Sequence, residues 1–381
     1  MVLSEKLMID KAYNYLPILS ISTAEMSALE KLPDKDKNLL LPIFPLKGWV
    51  GSKTLDKTIS RIGVSIGSRP WIADIDSDFV FNNKKYLADP DSQREVFKEV
   101  HELLDPTNGY ENWVQYITEL DNVVIPTLQT YDVEQIGKQI KSLSDLARGL
   151  VVRLKIKKDP TDRINSILRS LIENKVNDLL ILLDFEDIMR SDVLQSEQYG
   201  MLVSRLSKLL PNAIFATSAS SFPSSFSGSY RGELPIYERQ LHTAVCKLCE
   251  GVRVIYSDRG SARANKTNGG GGIPPARIDY PLRNDWRYVR KEFRDPSNVT
   301  ELEKHTLYKE AATEIVESDY WNPSLRLWGV QMIEKTVEFR DEYCITSANR
   351  ATAVRINIHL YQQLHYLSDF GVLDTEEDWE D

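Results

Sequence analysis

The chain has 381 residues, 42% of them hydrophobic and 27% charged, and a formal net charge of -9. That mix excludes collagen-like, coiled-coil and wholly disordered chains, and the acidic balance argues against a general nucleic-acid or anionic-membrane binder. Cys246, Cys249 and Cys344 are too few for a disulfide framework and point to a reducing cytosol, and no apolar run approaches the ~18 residues of a membrane span.

From the N-terminus, Glu5 and Asp10 stand where a signal peptide would be apolar. Short, β-rich apolar runs then recur at 16–21, 39–46, 71–75, 123–128, 150–154, 179–184, 213–217 and 252–257. Near-continuous apolarity marks strands buried on both faces. Their spacing of about 34 residues fits one βαβ unit each. The intervals read as amphipathic helices: 24–32 capped by Thr23, 93–104 capped by Ser92, then 132–146, 161–174, 198–210 and 235–250. Alternating strands and helices predict an α/β fold with a parallel sheet, and eight strands fit a (β/α)8 TIM-barrel-like domain over 1–260.

After residue 260 the pattern changes. A basic, Gly-rich loop (259–273) leads to a hairpin of 277–280 with 286–290, helices over 301–317 and 348–367, and an acidic tail from Asp374 to Asp381. We expect residues 261–381 to form a C-terminal extension packed on the barrel.

Several motifs resemble, in collinear order, the phage Beta protein family. They are Tyr15-Leu16-Pro17-Ile18-Leu19 with Glu25, Ala28 and Leu29; Leu41-Pro42-Ile43; and Trp71-Ile72-Ala73-Asp74-Ile75-Asp76. Leu182-Leu183-Asp184, the run from Ser218 to Pro223, the run from Ile255 to Gly260, Ile278-Asp279-Tyr280 with Trp286 and Arg290, and the terminal helix with Arg355 and His359 continue the likeness. The resemblance implies a cytoplasmic protein of phages, prophages or mobile islands, acting in anti-phage defence or phage–host conflict beside other proteins of such a system. It implies no catalytic mechanism. One departure is Phe44-Pro45-Leu46-Lys47-Gly48, which puts a lysine where the family pattern leads one to expect an acid.

Ligands of a parallel barrel sit at the carboxyl ends of its strands. Those ends carry Ser20 and Ser22; Lys47; Asp74 and Asp76; Gln129 and Tyr131; Arg153 and Lys155; Asp184 and Glu186; Ser218 and Ser220; Asp258 and Arg259. Asp74 with Asp76, and Asp184 with Glu186, are two apart and share a strand face. They suit Mg²⁺ or Mn²⁺, which take oxygen ligands, or an acid/base pair; alternatively they cap helices or pair with Arg153 and Lys155. No metal-ligand spacing is present. Arg153, Lys155, Ser218, Ser220, Asp258 and Arg259 are candidates to hold a phosphorylated ligand.

Two functions follow: recognition of a protein or phosphorylated ligand at the barrel mouth, or a barrel hydrolase or phosphodiesterase using the strand-end carboxylates. A third, single-stranded nucleic-acid binding, would use Arg263, Lys266, Arg277, Arg283, Arg287, Arg290 and Lys291 beside Tyr280, Trp286 and Tyr288, against the net charge. Cys246-Lys-Leu-Cys249 lies in an amphipathic helix and reads as packing cysteines. Arg355 and His359, four apart, read as anchors of the last helix.

Overall fold

The computed structural model describes residues 13–226, 229–264, 273–339 and 344–368. Lys266, the Gly269–Gly272 run and the acids from Asp374 onward lie outside them. The chain forms two compact units, one of Met1–Ser22, Asn38–Ser220 and Tyr237–Arg259, the other of Thr23–Lys37, Ser221–Ile236 and Gly260–Asp381.

The first unit is α/β. Its strands are β1 (Ile43–Leu46), β2 (Trp71–Ile75), β3 (Val124–Pro126), β4 (Leu150–Lys155), β5 (Leu179–Asp187) and β6 (Ile214–Ser220), while β7 (Arg231–Pro235) belongs to the second unit and β8 (Val254–Asp258) returns to the first. They form two parallel sheets, β1-β2-β3 and β4-β5-β6-β8, rather than the single eight-stranded sheet expected from sequence. Isolated parallel bridges continue the order. Thr127 pairs with Val151, Ile18 with Ile43, and Tyr15 with Tyr256.

The first apolar run, at 16–21, therefore contributes bridges rather than a full strand, because Pro17 lacks the N–H that a regular ladder needs. One buried cluster gathers Ile18, Ile43, Ile72, Ile125, Val151, Leu180, Ala216 and Ile255, one from each of eight chain segments. Burial of both strand faces explains why these runs are continuously apolar.

Helices follow the strands at Asp56–Ile66, Glu95–Leu103, Thr107–Glu119, Ile136–Ser144, Thr161–Glu173, Ser196–Leu209 and Tyr237–Leu248. Ser92 is not a cap. It ends the 3-10 turn Pro90–Ser92, where Asp89 accepts its N–H, and the next helix begins after Arg94.

In the second unit β9 (Ala276–Pro281) and β10 (Asp285–Lys291) form the expected antiparallel hairpin, joined by β7 in the order β7-β10-β9. Helices Thr23–Glu30, Glu301–Val316, Trp328–Glu338 and Ala348–Leu364 complete it. Arg355 donates to Asp279 (2.9 Å) and Ser261 (3.1 Å), and Trp286 donates to His359 (3.3 Å). These two residues thus tie the last helix to its own unit's sheet.

Candidate functional site

Four of the expected charges meet at the ends of β2, β4, β5 and β8. Arg153, on β4, donates through Nε and Nη2 to Asp184 Oδ2 (2.8 and 2.6 Å) and through Nη1 to Asp74 Oδ2 (2.7 Å). Arg259, just past β8, donates to the same Asp184 oxygen at 2.7 Å. Asp74 Oδ1 accepts from the Ile75 N–H and the Thr127 hydroxyl, both at 2.9 Å. Asp184 is fully buried. Burial raises its carboxyl pKa, but Arg259 and Arg153 outweigh that and hold the group well below the usual carboxylate range. It stays ionised and is already saturated with donors, a poor starting point for general acid catalysis.

The other acids do not join them. Asp76 lies 3.3 Å from Lys47, which also donates to Ser20. Glu186 pairs with Lys158 at 2.7 Å. A bulge between Asp184 and Asp187 breaks the two-residue alternation, and Glu186 adopts φ 55, so the same-face expectation for Asp184 and Glu186 fails. Asp258 is buried and accepts the hydroxyls of Tyr15 (2.5 Å) and Tyr256 (2.9 Å), with Arg239 stacked 3.3 Å over the Tyr256 ring.

The four carboxylates of the Mg²⁺ or Mn²⁺ expectation are thus each paired with a cation, Asp74 and Asp184 with Arg153, Asp76 with Lys47 and Glu186 with Lys158. Among the described residues no group of three or more His, Cys, Asp or Glu is arranged to hold a metal.

Ser218 lies in register with Asp184 on one side and Ser257 on the other. Its hydroxyl and Arg259 Nε are buried and meet no partner among the described residues. Ser220 is buried at the next inward position of β6.

A cavity of about 180 Å³ opens beside Arg153, lined also by Asp74, Gln129, Tyr131, Lys155, Asp159 and Arg163, with Phe81 and Leu104. Arg153 and Lys155 share it, as their spacing predicts. Phe81, Leu104, Asp159 and Arg163 were not among the sequence candidates. They come from helices and loops beyond the strand ends, where no periodic signal singles them out.

The basic C-terminal stretch is largely internally paired. Arg287 meets Glu233 and Asp285, Arg290 meets Glu292, and Lys291 meets Glu314. Tyr280, Trp286 and Tyr288 are buried rather than available for stacking on bases. On the helix Tyr237–Leu248, His242 is hydrogen-bonded to Thr217 Oγ1 (2.8 Å) and lies 3.5 Å from Cys246 Sγ. Burial, then the nearby Arg239, depress the His242 pKa to about 3, and burial pushes the Cys246 thiol up to about 11. Neither group is poised for nucleophilic or metal chemistry.

The family model described as Beta protein matches residues 15–365. The chain is similar to Protein beta of Enterobacteria phage P4, at 27% identity over 379 residues, covering 96% of this chain and 98% of that relative. A solved structure, the enoyl reductase domain of MlnA from the macrolactin biosynthesis cluster of Bacillus amyloliquefaciens, aligns over 96% of this chain and 84% of its own. Its identity of 12% and TM-score of 0.34 are too low to carry an argument.

Proposed function

The chain belongs to the Beta protein family, and from that premise we propose that it acts in phage–host conflict by recognising a phosphorylated ligand at the strand ends of its first unit. The carrying observation is the Asp74–Arg153–Asp184–Arg259 network, which fixes a charged floor while leaving two buried donors, Ser218 Oγ and Arg259 Nε, with no acceptor among the described residues. A buried donor without an acceptor costs about 1–3 kcal/mol, and an oxyanion supplies the missing acceptors.

The (β/α)8 barrel belongs to this reading. Its support is that the bridges at Tyr15, Ile18 and Thr127 link β8 round to β1 and β3 to β4, around a cluster drawn from all eight segments. So does a cytosolic setting, supported by three free thiols, and so does action alongside other proteins of a defence or phage-encoded system. The hydrolase alternative has weaker support, because each candidate acid already answers a cation.

The test is phage plating on cells carrying the native locus. Deleting the gene should change plating efficiency by a hundredfold or more, and Lys155→Ala or Arg259→Gln should reproduce that change with protein levels intact. Unchanged plating on the deletion strain would overturn the role in conflict. Unchanged plating with both variants would overturn ligand recognition at this end.

A further inference from the structure

The cavity beside Arg153 combines two chemistries. Toward its floor lie three cations, Arg153, Lys155 and Arg163, against two carboxylates, Asp74 and Asp159, leaving one positive charge in excess. Arg153 is committed to Asp74 and Asp184. Arg163 stands 3.7 Å from Asp159, a loose pair, and Asp159 also accepts the backbone N–H of Lys155. The Lys155 ammonium makes no ion pair with any described residue. Phe81 and Tyr131 also line the cavity, 43% and 72% exposed, with ring centroids 6.5 Å apart and planes 35° from parallel.

Exposed aromatics beside available cations are what a planar, phosphorylated ligand requires. We propose that this cavity is a mononucleotide site, with the phosphate on Lys155 and Arg163 and the base stacked against Tyr131 and Phe81. The proposal rests on the recognition reading above and names its ligand class. The cavity shares Arg153 and Asp74 with that network but is not lined by Ser218 or Arg259, so here the phosphate sits on Lys155 and Arg163 instead. The two rings are tilted and form no parallel slot, so the base stacks on an exposed ring face rather than between them. At about 180 Å³ the cavity is smaller than the ~300 Å³ at which ligand pockets usually begin, so it encloses only part of a nucleotide, and the rest lies against the exposed rings of Tyr131 and Phe81. The net charge of -9 argues against a longer polyanion.

Calorimetric titration of the full chain with AMP, GMP, CMP and UMP, and separately with adenosine and inorganic phosphate, tests this. At least one nucleotide should bind tenfold or more tighter than adenosine and phosphate. Tyr131→Ala should weaken nucleotide binding tenfold or more without changing phosphate binding, and Lys155→Ala should weaken both. Both positions lie outside the buried network, and thermal melts verify that the variants fold. Failure of all four nucleotides to saturate at millimolar concentration overturns the proposal. So does phosphate binding as tightly as every nucleotide, or a Tyr131→Ala variant that binds nucleotide normally. If no nucleotide binds while Lys155→Ala still abolishes the plating effect, the mononucleotide site fails and recognition of another ligand survives.

Discussion

Arg153 holds together charges from three strand ends, and removing it is costly for a definite reason. Asp74 would lose its guanidinium, and Asp184, fully buried, would keep only Arg259. Breaking a buried ion network by deleting one partner costs about 3–5 kcal/mol because a charge is left uncompensated. Arg153→Ala should therefore lower unfolding free energy by about that amount in urea titrations, whereas Lys155→Ala should cost under about 0.5 kcal/mol. Equal losses would contradict the network's structural role. The pH dependence has a readable sign. Asp184 is held below its ordinary value, so its contribution is present above about pH 4 and is lost as pH falls through its folded pKa. His242 acts earlier. Its folded pKa of about 3 lies below the ~6.5 of an unfolded chain, so the unfolded state binds the extra proton between those values. Stability is then full above about pH 6.5 and falls on acidification, by roughly 2 kcal/mol at pH 4.5 once partial exposure is discounted. His242→Gln should flatten this slope in unfolding curves at pH 7 and 4.5, and an unchanged slope would remove His242 as its source.

Helix packing in the second unit depends on Asn357 and Gly329. Asn357 Oδ1 accepts the Gly329 N–H at 3.0 Å, and its amide donates to the Ala28 carbonyl at 2.9 Å, joining three helices. A Cβ on Gly329 would stand 2.8 Å from the Val354 carbonyl oxygen and from Ile358. Alanine gains about 1 kcal/mol of helix propensity, but overpacking against backbone costs about 1–3 kcal/mol, so Gly329→Ala should be net destabilising in denaturant titrations. A stabilised variant would show that these helices separate easily.

Which elements were legible follows from the same physics. The parallel strands announce themselves through continuous apolar runs, and β2 falls where its run predicts. β7 reads Arg-Gly-Glu-Leu-Pro, partly exposed, and it exists through pairing with β10 some fifty residues later, which no local pattern shows. The helix Thr107–Glu119 carries no regular start signal, because left-handed Asn108, Gly109 and Tyr110 interrupt its first turn. At the site, listing strand ends identified Asp74, Arg153, Asp184 and Arg259. The alternative that these acids pair with Arg153 holds for Asp74 and Asp184, while Lys47 with Asp76 and Lys158 with Glu186 depend on lateral register and on the β5 bulge at Glu186, which no local pattern shows.

At the scale of the whole chain, the two units are interleaved in sequence. The polypeptide passes between them at residues 22/23, 37/38, 220/221, 236/237 and 259/260. Helix Thr23–Glu30 packs on Ala348–Leu364, and β7 pairs with β10, so a fragment ending at 260 retains two segments whose partners it has lost. That fragment exposes the buried face of the first helix, including Met26 and Leu29, and leaves β7 as an unpaired strand. Limited proteolysis should therefore cut fragment 1–260 within 23–37 and 221–236 while sparing 38–220, and size-exclusion chromatography should show association. The intact chain should resist cleavage at both inserts, because each is held by contacts that arrive from fifty or more residues away. A monomeric fragment with protected inserts would mean that the first 260 residues hold those segments without the C-terminal helices and hairpin.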